Sequence, residues 1–368
     1  MNDFSSLKGK SVFVTGHTGF KGSWLCLWLS RLGANVTGYS LEAPTEPHNF
    51  GVSGVLDVLE DHYCADIRDA ETLTAAMARA APDLVLHLAA QTVVREGYRI
   101  PRETFDVNVM GTIDVLESVR QLGRPCAVIC VTSDKCYENK EQVWGYREAD
   151  PMGERDPYGA SKGAAELAIR SYRYAFFPPQ RIEEHGVKLA SARAGNVIGG
   201  GDWTHDALMV DVVKALRQGE PVCLRNPSAV RPWQHVLQAL SGYLALAVRL
   251  LGSPDPRFAE GWNFGPVPGD DVPVREIVEL FHNKWGGGSW RDVSASETLN
   301  EAGTLRVSID KAIGQLGWKP HWDVHTSVEK TVDWYRHYVD HPGCMRDYSL
   351  HQIREFEQQA AGGLKLAS

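Results

Sequence analysis

The chain has 368 residues, with 38 Lys plus Arg against 46 Asp plus Glu and a formal net charge of −8. With 43 % hydrophobic and 23 % charged residues, the composition fits a globular protein and argues against long disorder. The acidic balance excludes a general nucleic-acid binder, because neutralising phosphates needs a basic surface, and it leaves open only local basic sites for a small anion.

Short apolar runs alternate with amphipathic stretches through the first half. Ser11–Thr15 reads as a strand, followed by a glycine turn and a helix over Phe20–Arg31 that Gly33 closes. Asn35–Tyr39, His62–Ala65, Leu84–His87 and Ala127–Thr132 read as further strands, with helices at about 70–80, 103–122 and 158–176. Strands alternating with helices imply right-handed crossovers and a parallel sheet. Lys188–Arg193 continues the pattern, then helices are expected at 206–218, 233–251 and 273–284, a late strand at Gly261–Gly265 and a helix near 325–338. The tail beyond about 350 can begin as a helix, with AAGGLKLAS expected to fray. The expected class is α/β: a Rossmann-like, doubly wound parallel sheet with a smaller mixed α/β C-terminal substrate lobe. The division expected is 1–190 for the cofactor-binding part (with returns near 230–265), 191–345 mainly for the substrate lobe, and 346–368 for the tail. Length alone suggests two domains, or one large elaborated one, at about 150 residues each.

Gly16-His17-Thr18-Gly19-Phe20-Lys21-Gly22 lies between the first strand and the first helix. Gly16 permits the tight turn, Gly19 lets a pyrophosphate approach the helix N-terminus, and Gly22 allows close helix–sheet packing. In this position GxxGxxG points to a dinucleotide. The second strand ends Gly38-Tyr39-Ser40-Leu41-Glu42 with no Arg for a 2′-phosphate, which favours NAD over NADP. Thr18, Phe20 and Ser40 join the cofactor candidates, as do Asp66 and Ile67 at the adenine, Leu88 and Ala89 after the fourth strand, and Gln91 near the nicotinamide ribose.

Tyr158 and Lys162 stand four residues apart, on one face of a helix. A phenol with a pKa of about 10 is a weak base at neutral pH; a nearby cation favours its phenolate. The fifth strand ends Thr132-Ser133-Asp134-Lys135, and ligands bind at the carboxyl ends of parallel strands. Ser133 is placed to share a substrate hydroxyl with Tyr158, and Asp134 beside Lys135 forms an acid/base pair.

The runs FVTGHTGFKGSWL, LHLAAQTVVR, NVMGT, VTSDKCYEN, DPYGASK, SARAGNVIGGGDW, RPWQHV and WNFGP resemble those of the extended short-chain dehydrogenase/reductase family, and closely its branch of CDP-glucose 4,6-dehydratases. They span roughly residues 8–340. The resemblance implies that Tyr158 is the base that starts oxidation at C4 of a hexose, with Lys162 and Ser133 assisting and NAD as the oxidant. A base then removes the C5 proton while Asp134 protonates the C6 hydroxyl, water leaves, and NAD is regenerated in place. Related branches carry Glu after the Asp; Lys135 stands there here. It acts either as the C5 base, with a depressed pKa, or by stabilising the enolate. The resemblance also places Arg231 and Asn196 at the diphosphate and sugar, adds Arg193 and Trp203 as weaker substrate candidates, and makes Asn108 an active-site asparagine. It implies a homodimer or homotetramer built on the helices at 103–122 and 158–176.

The other features read as structural. His87 is a core histidine in an apolar strand, and no metal is expected, since the histidines lack ligand spacing. The seven cysteines form no CxxC pair and read as reduced, mostly buried thiols of a cytosolic protein. The N-terminus MNDFSSLKGK has no signal-peptide core. No apolar run approaches the roughly 18 residues of a membrane span, so no membrane partner is expected. Of the eleven tryptophans, Trp24, Trp203, Trp233 and Trp262 fall inside the motifs; for most, buried packing is the expected role.

Overall fold

A computed structural model describes residues 3–267, 269–296 and 302–362. Seven strands form one all-parallel sheet: β1 (Ser11–Thr15), β2 (Asn35–Ser40), β3 (Asp61–Cys64), β4 (Leu84–His87), β5 (Cys126–Val131), β6 (Val187–Ala194) and β7 (Gly261–Phe264). Their order across the sheet is β7-β6-β5-β4-β1-β2-β3. The order reverses between β1 and β4, and the crevice that such a reversal opens at the carboxyl ends is where α/β sheets bind ligands.

Both faces of the sheet are covered, as the period-two alternation requires. Val12, Val14, Leu84, Leu86 and Ile129 point to one side, into a core with Trp24, Leu25 and Trp28 of the Phe20–Arg31 helix and Leu240 and Leu244 of the Val236–Gly252 helix. Phe13, Val85, Val128 and Leu189 point to the other, against Leu73 and Met77 of the Ala70–Ala80 helix, Val115 and Val119 of the Gly111–Leu122 helix, and Ile169 of the Pro157–Ala175 helix.

The expected helix at 103–122 is broken into three parts. Pro101–Phe105 is α-helical, Asp106–Met110 forms a π-turn, and Gly111–Leu122 resumes the α-helix. The wide turn brings Asn108 inward, where its amide is buried. Gly111 opens the next segment because a Cβ there would stand 2.7 Å from Ile67 Cγ2.

The later chain adds three short ladders: Val197–Ile198 with Gln234–His235, Val230–Arg231 with Val272–Pro273, and Val222–Leu224 with Trp290–Asp292. The C-terminal helix runs over Met345–Gly362, and its Phe356 packs on Trp28 and Trp322 while Glu357 accepts from Trp28 Nε1 at 3.0 Å. AAGGLKLAS therefore begins inside a helix; residues 363–368 lie outside the described residues. Among the described cysteine side chains, Cys26, Cys126, Cys130 and Cys136 are buried, Cys64 and Cys223 are exposed, and all six are free thiols. No described helix is long and apolar enough to cross a membrane.

Candidate active site

The glycine loop follows β1 directly. Gly16 holds φ +74°, and a Cβ on it would meet Ala89 N at 2.7 Å and Leu88 C at 2.9 Å, so only glycine lets the loop lie this close to the end of β4. A Cβ on Gly22 would stand 2.1 Å from Gly16 O, which seats the helix on the loop. Gly19 is the N-cap and brings no side-chain cap; a Cβ there would meet nothing nearer than Gly16 O at 3.4 Å. The first-turn amides thus face an open cradle suited to a diphosphate. The residues present fit a dinucleotide.

The other cofactor candidates gather along the same carboxyl edge. Thr18 Oγ1 lies 2.9 Å from Ser40 Oγ and donates to Leu41 O at 3.0 Å, tying the loop to β2. Leu88 N and Ala89 N both donate to Thr15 Oγ1. Asp66 is paired with Arg68, whose Nη2 donates at 2.6 Å, so the guanidinium holds its carboxyl below the usual range. Ile67 is buried under Gly111. Phe20 is turned towards Gly199, where a Cβ would meet its ring at 3.1 Å. Gln91 is committed internally: its N donates to Asn108 Oδ1 and its Nε2 to Thr104 Oγ1, both at 2.9 Å.

Ser133, Asp134, Tyr158 and Lys162 come together as buried groups. Ser133 Oγ donates to Asp134 Oδ1 at 3.1 Å and accepts from Lys135 N at 3.2 Å. Burial pushes the Tyr158 phenol up, and the neighbouring Ser133 hydroxyl offsets part of that rise. Lys162 is pushed down to about 8, first by burial and then by the Lys21 cation. Burial raises the Asp134 carboxyl, against the pull of Lys135, Ser133, Lys21 and Arg231. A raised carboxyl is suited to act as an acid.

A cavity of about 280 Å³ reaches this cluster at Lys135, which follows Asp134 in the chain; its lining also includes Asn196, Asp202, Arg225, Arg231 and Trp233 and none of Ser133, Asp134, Tyr158 and Lys162. It contains two of the expected substrate residues, Asn196 and Arg231, and the expected catalytic Lys135. Arg231 is otherwise held by its own neighbours, donating from Nη1 to Val230 O at 3.0 Å.

Three other substrate candidates lie elsewhere. Arg193 is buried in a bidentate pair with Glu166, with Nε to Oε1 at 2.9 Å and Nη2 to Oε2 at 2.8 Å, and it also donates to Tyr137 Oη at 2.7 Å. Trp203 packs edge-on against Trp334, Tyr335 and Tyr338. Asn108 accepts from Gln91 N and donates to Gln91 O and Ser161 Oγ, which uses both ends of its amide to brace the helix that carries Tyr158. His87 is a buried core histidine, bonded to Thr15 and Thr112 and pushed down to about 3 by burial.

Lys21 was read only as a letter within the glycine motif. It is pushed down to about 8 by burial, opposed by the carboxylates of Asp134 and Asp202. A lysine in the first turn of a helix opposes the helix dipole. That unfavourable placement is the signal in the sequence that it serves acidic partners elsewhere. Asp202 and Arg225 gave no such signal and are found only through the cavity they line.

Residues 12–257 match the model of the NAD dependent epimerase/dehydratase family. The chain belongs to this family. Across 92 % of its length it is 48 % identical to a CDP-glucose 4,6-dehydratase of Salmonella typhimurium, of which the match covers 94 %. It is 26 % identical to a UDP-glucose 4-epimerase of Rhizobium meliloti, over 89 % of this chain and 98 % of that one. Its fold is similar to that of a dTDP-glucose 4,6-dehydratase from Streptomyces venezuelae solved with NAD, with a TM-score of 0.75, 22 % identity, and coverage of 92 % and 99 % of the two chains. Membership fixes NAD as the cofactor.

Proposed function

We propose that this chain is a CDP-glucose 4,6-dehydratase, converting CDP-D-glucose to CDP-4-keto-6-deoxy-D-glucose and water. The observation that carries the reading is the 48 % identity to such an enzyme over 92 % of the chain. When bound, NAD supplies a two-electron acceptor that gives back what it takes within one turnover. Gly16, Gly19 and the first turn of the Phe20–Arg31 helix hold its diphosphate.

The chain's own groups do the rest. Tyr158 takes the C4 hydroxyl proton, with Ser133 holding the same oxygen and Lys162, on the same helix face, favouring the phenolate. The resulting 4-ketone acidifies C5. Asp134 then gives its proton to the C6 oxygen, the C6–O bond breaks, and water departs. Lys135, lining the cavity next to Asp134, receives the C5 proton or steadies the enolate charge. Arg231 faces the same cavity and suits a diphosphate by its fork of donors. The buried, raised carboxyl of Asp134 favours dehydration over 4-epimerisation, which needs no acid at C6.

We further read the protein as a homodimer in a reducing, cytoplasmic setting. Leu167 and Tyr174 are 58 % and 52 % exposed on the Pro157–Ala175 helix, and Met110 is 47 % exposed at the end of the π-turn. Such apolar exposure on neighbouring helices supports a second copy as its cover.

The test is incubation of purified protein with CDP-, dTDP-, UDP- and GDP-hexoses. The 4-keto-6-deoxy product is expected from CDP-glucose. Preference for another donor overturns the nucleotide assignment and leaves the fold standing.

A further inference from the structure

Asp134 is tightly confined. Its side chain is buried, Oδ1 accepts from Ser133, and Oδ2 has no hydrogen-bond partner among the described residues. What lies against that carboxyl is Gly195, the residue between the end of β6 and the cavity-lining Asn196. A Cβ on Gly195 would stand 1.9 Å from Oδ2, 2.3 Å from Cγ and 2.9 Å from Oδ1. No side chain fits there without moving the carboxyl or the backbone. The backbone is held, because Gly195 O accepts from Gln234 Nε2 at 3.3 Å, and the same Nε2 donates to Phe264 O at 2.9 Å. Gln234 is itself fully buried. The carboxyl is therefore the part that must give.

We propose that Gly195 is a positioning residue for Asp134, its missing side chain leaving the slot from which the carboxyl protonates the departing C6 oxygen. The proposal rests on the dehydratase reading for its chemistry, and on the contacts above for its geometry. In the step concerned, the Asp134 proton passes to the C6 oxygen, the C6–O bonding pair leaves with water, and the C5–H pair becomes the C5–C6 double bond as the C5 proton goes to a base. Proton removal at the C4 hydroxyl uses Tyr158, Lys162 and Ser133, and it touches Asp134 only through the Ser133 bond to Oδ1, whereas elimination takes its proton from the carboxyl itself. Gly195 thus affects elimination far more than oxidation.

The experiment is Gly195→Ala, read in two ways. In single turnover with CDP-glucose, substrate-dependent appearance of reduced nicotinamide is expected to persist. Formation of the 4-keto-6-deoxy product is expected to fall about 10²-fold, the usual worth of a well-placed general acid, with KM little changed. Product formation at the wild-type rate, or equal loss of both steps, overturns the proposal. The second reading needs no substrate. Thermal unfolding is followed for Gly195→Ala, Asp134→Ala and the double variant. Gly195→Ala is expected to lower Tm in the wild-type background and to have little effect once Asp134→Ala has emptied the slot. An equal drop in both backgrounds overturns the proposal, even if CDP-glucose is not the substrate.

Discussion

Lys135 follows the buried acid Asp134 and lines the cavity. Replacing it with alanine removes a cation at the elimination step but nothing from the Tyr158–Ser133 contact. Lys135→Ala is therefore expected to reduce bound NAD on addition of CDP-glucose while forming little product; full turnover in a rapid-quench assay would exclude a catalytic part for the lysine. At this scale the sequence was informative where spacing alone fixes geometry. Tyr158 and Lys162 share a helix face at any tertiary arrangement, and the strand-end position of Ser133 and Asp134 follows from the parallel sheet. It was uninformative where a role depends on what faces the residue. Arg193 lies near the carboxyl end of β6, where a substrate ligand would stand, yet it is spent on Glu166. Lys21 passed for a letter of the glycine motif, yet it faces Asp134 and Asp202.

Glu166 and Arg193 join the Pro157–Ala175 helix to β6, and Thr132 and Ser191 donate to the same carboxylate at 2.5 and 2.8 Å. The network thus locks the helix carrying Tyr158 and Lys162 against the strand ends. Arg193→Met leaves Glu166 as a buried charge without its partner, at a cost of about 3–5 kcal/mol. A fall in Tm is expected, with Glu166→Gln in the same background restoring part of it, as differential scanning calorimetry would read; an unchanged Tm would refute the bracing role. The strands of the main sheet were legible to within a residue or two, since buried parallel strands are continuous apolar runs; the short ladders were not, and Gln234–His235 lies inside the expected helix 233–251. The π-turn at Asp106–Met110 was not, because one extra residue in a turn leaves the apolar pattern of 103–122 intact. Only Asn108 facing Gln91 and Ser161 makes it visible.

For the molecule as a whole, the C-terminal helix and the exposed helical face matter most. Met345–Gly362 buries Ile353 and Phe356 and covers Trp28 of the first helix, so the end of the described chain is part of the cofactor-side core. The face that carries Leu167 and Tyr174 is left open. Leu167→Glu with Tyr174→Glu is expected to convert a dimer into a monomer in sedimentation velocity, with the helical circular dichroism retained. A dimer that survives both changes would place the interface elsewhere. By itself the sequence determined the sheet class, the dinucleotide loop and the Ser133–Asp134–Tyr158–Lys162 set, because each depends on local period or on position along a βα unit. Only the tertiary structure decided that Arg231 lines the cavity while Arg193 and Trp203 do not, and that Gly195 leaves the slot for Asp134. Those outcomes turn on which side chains meet across elements far apart in the chain, and no local pattern records such meetings.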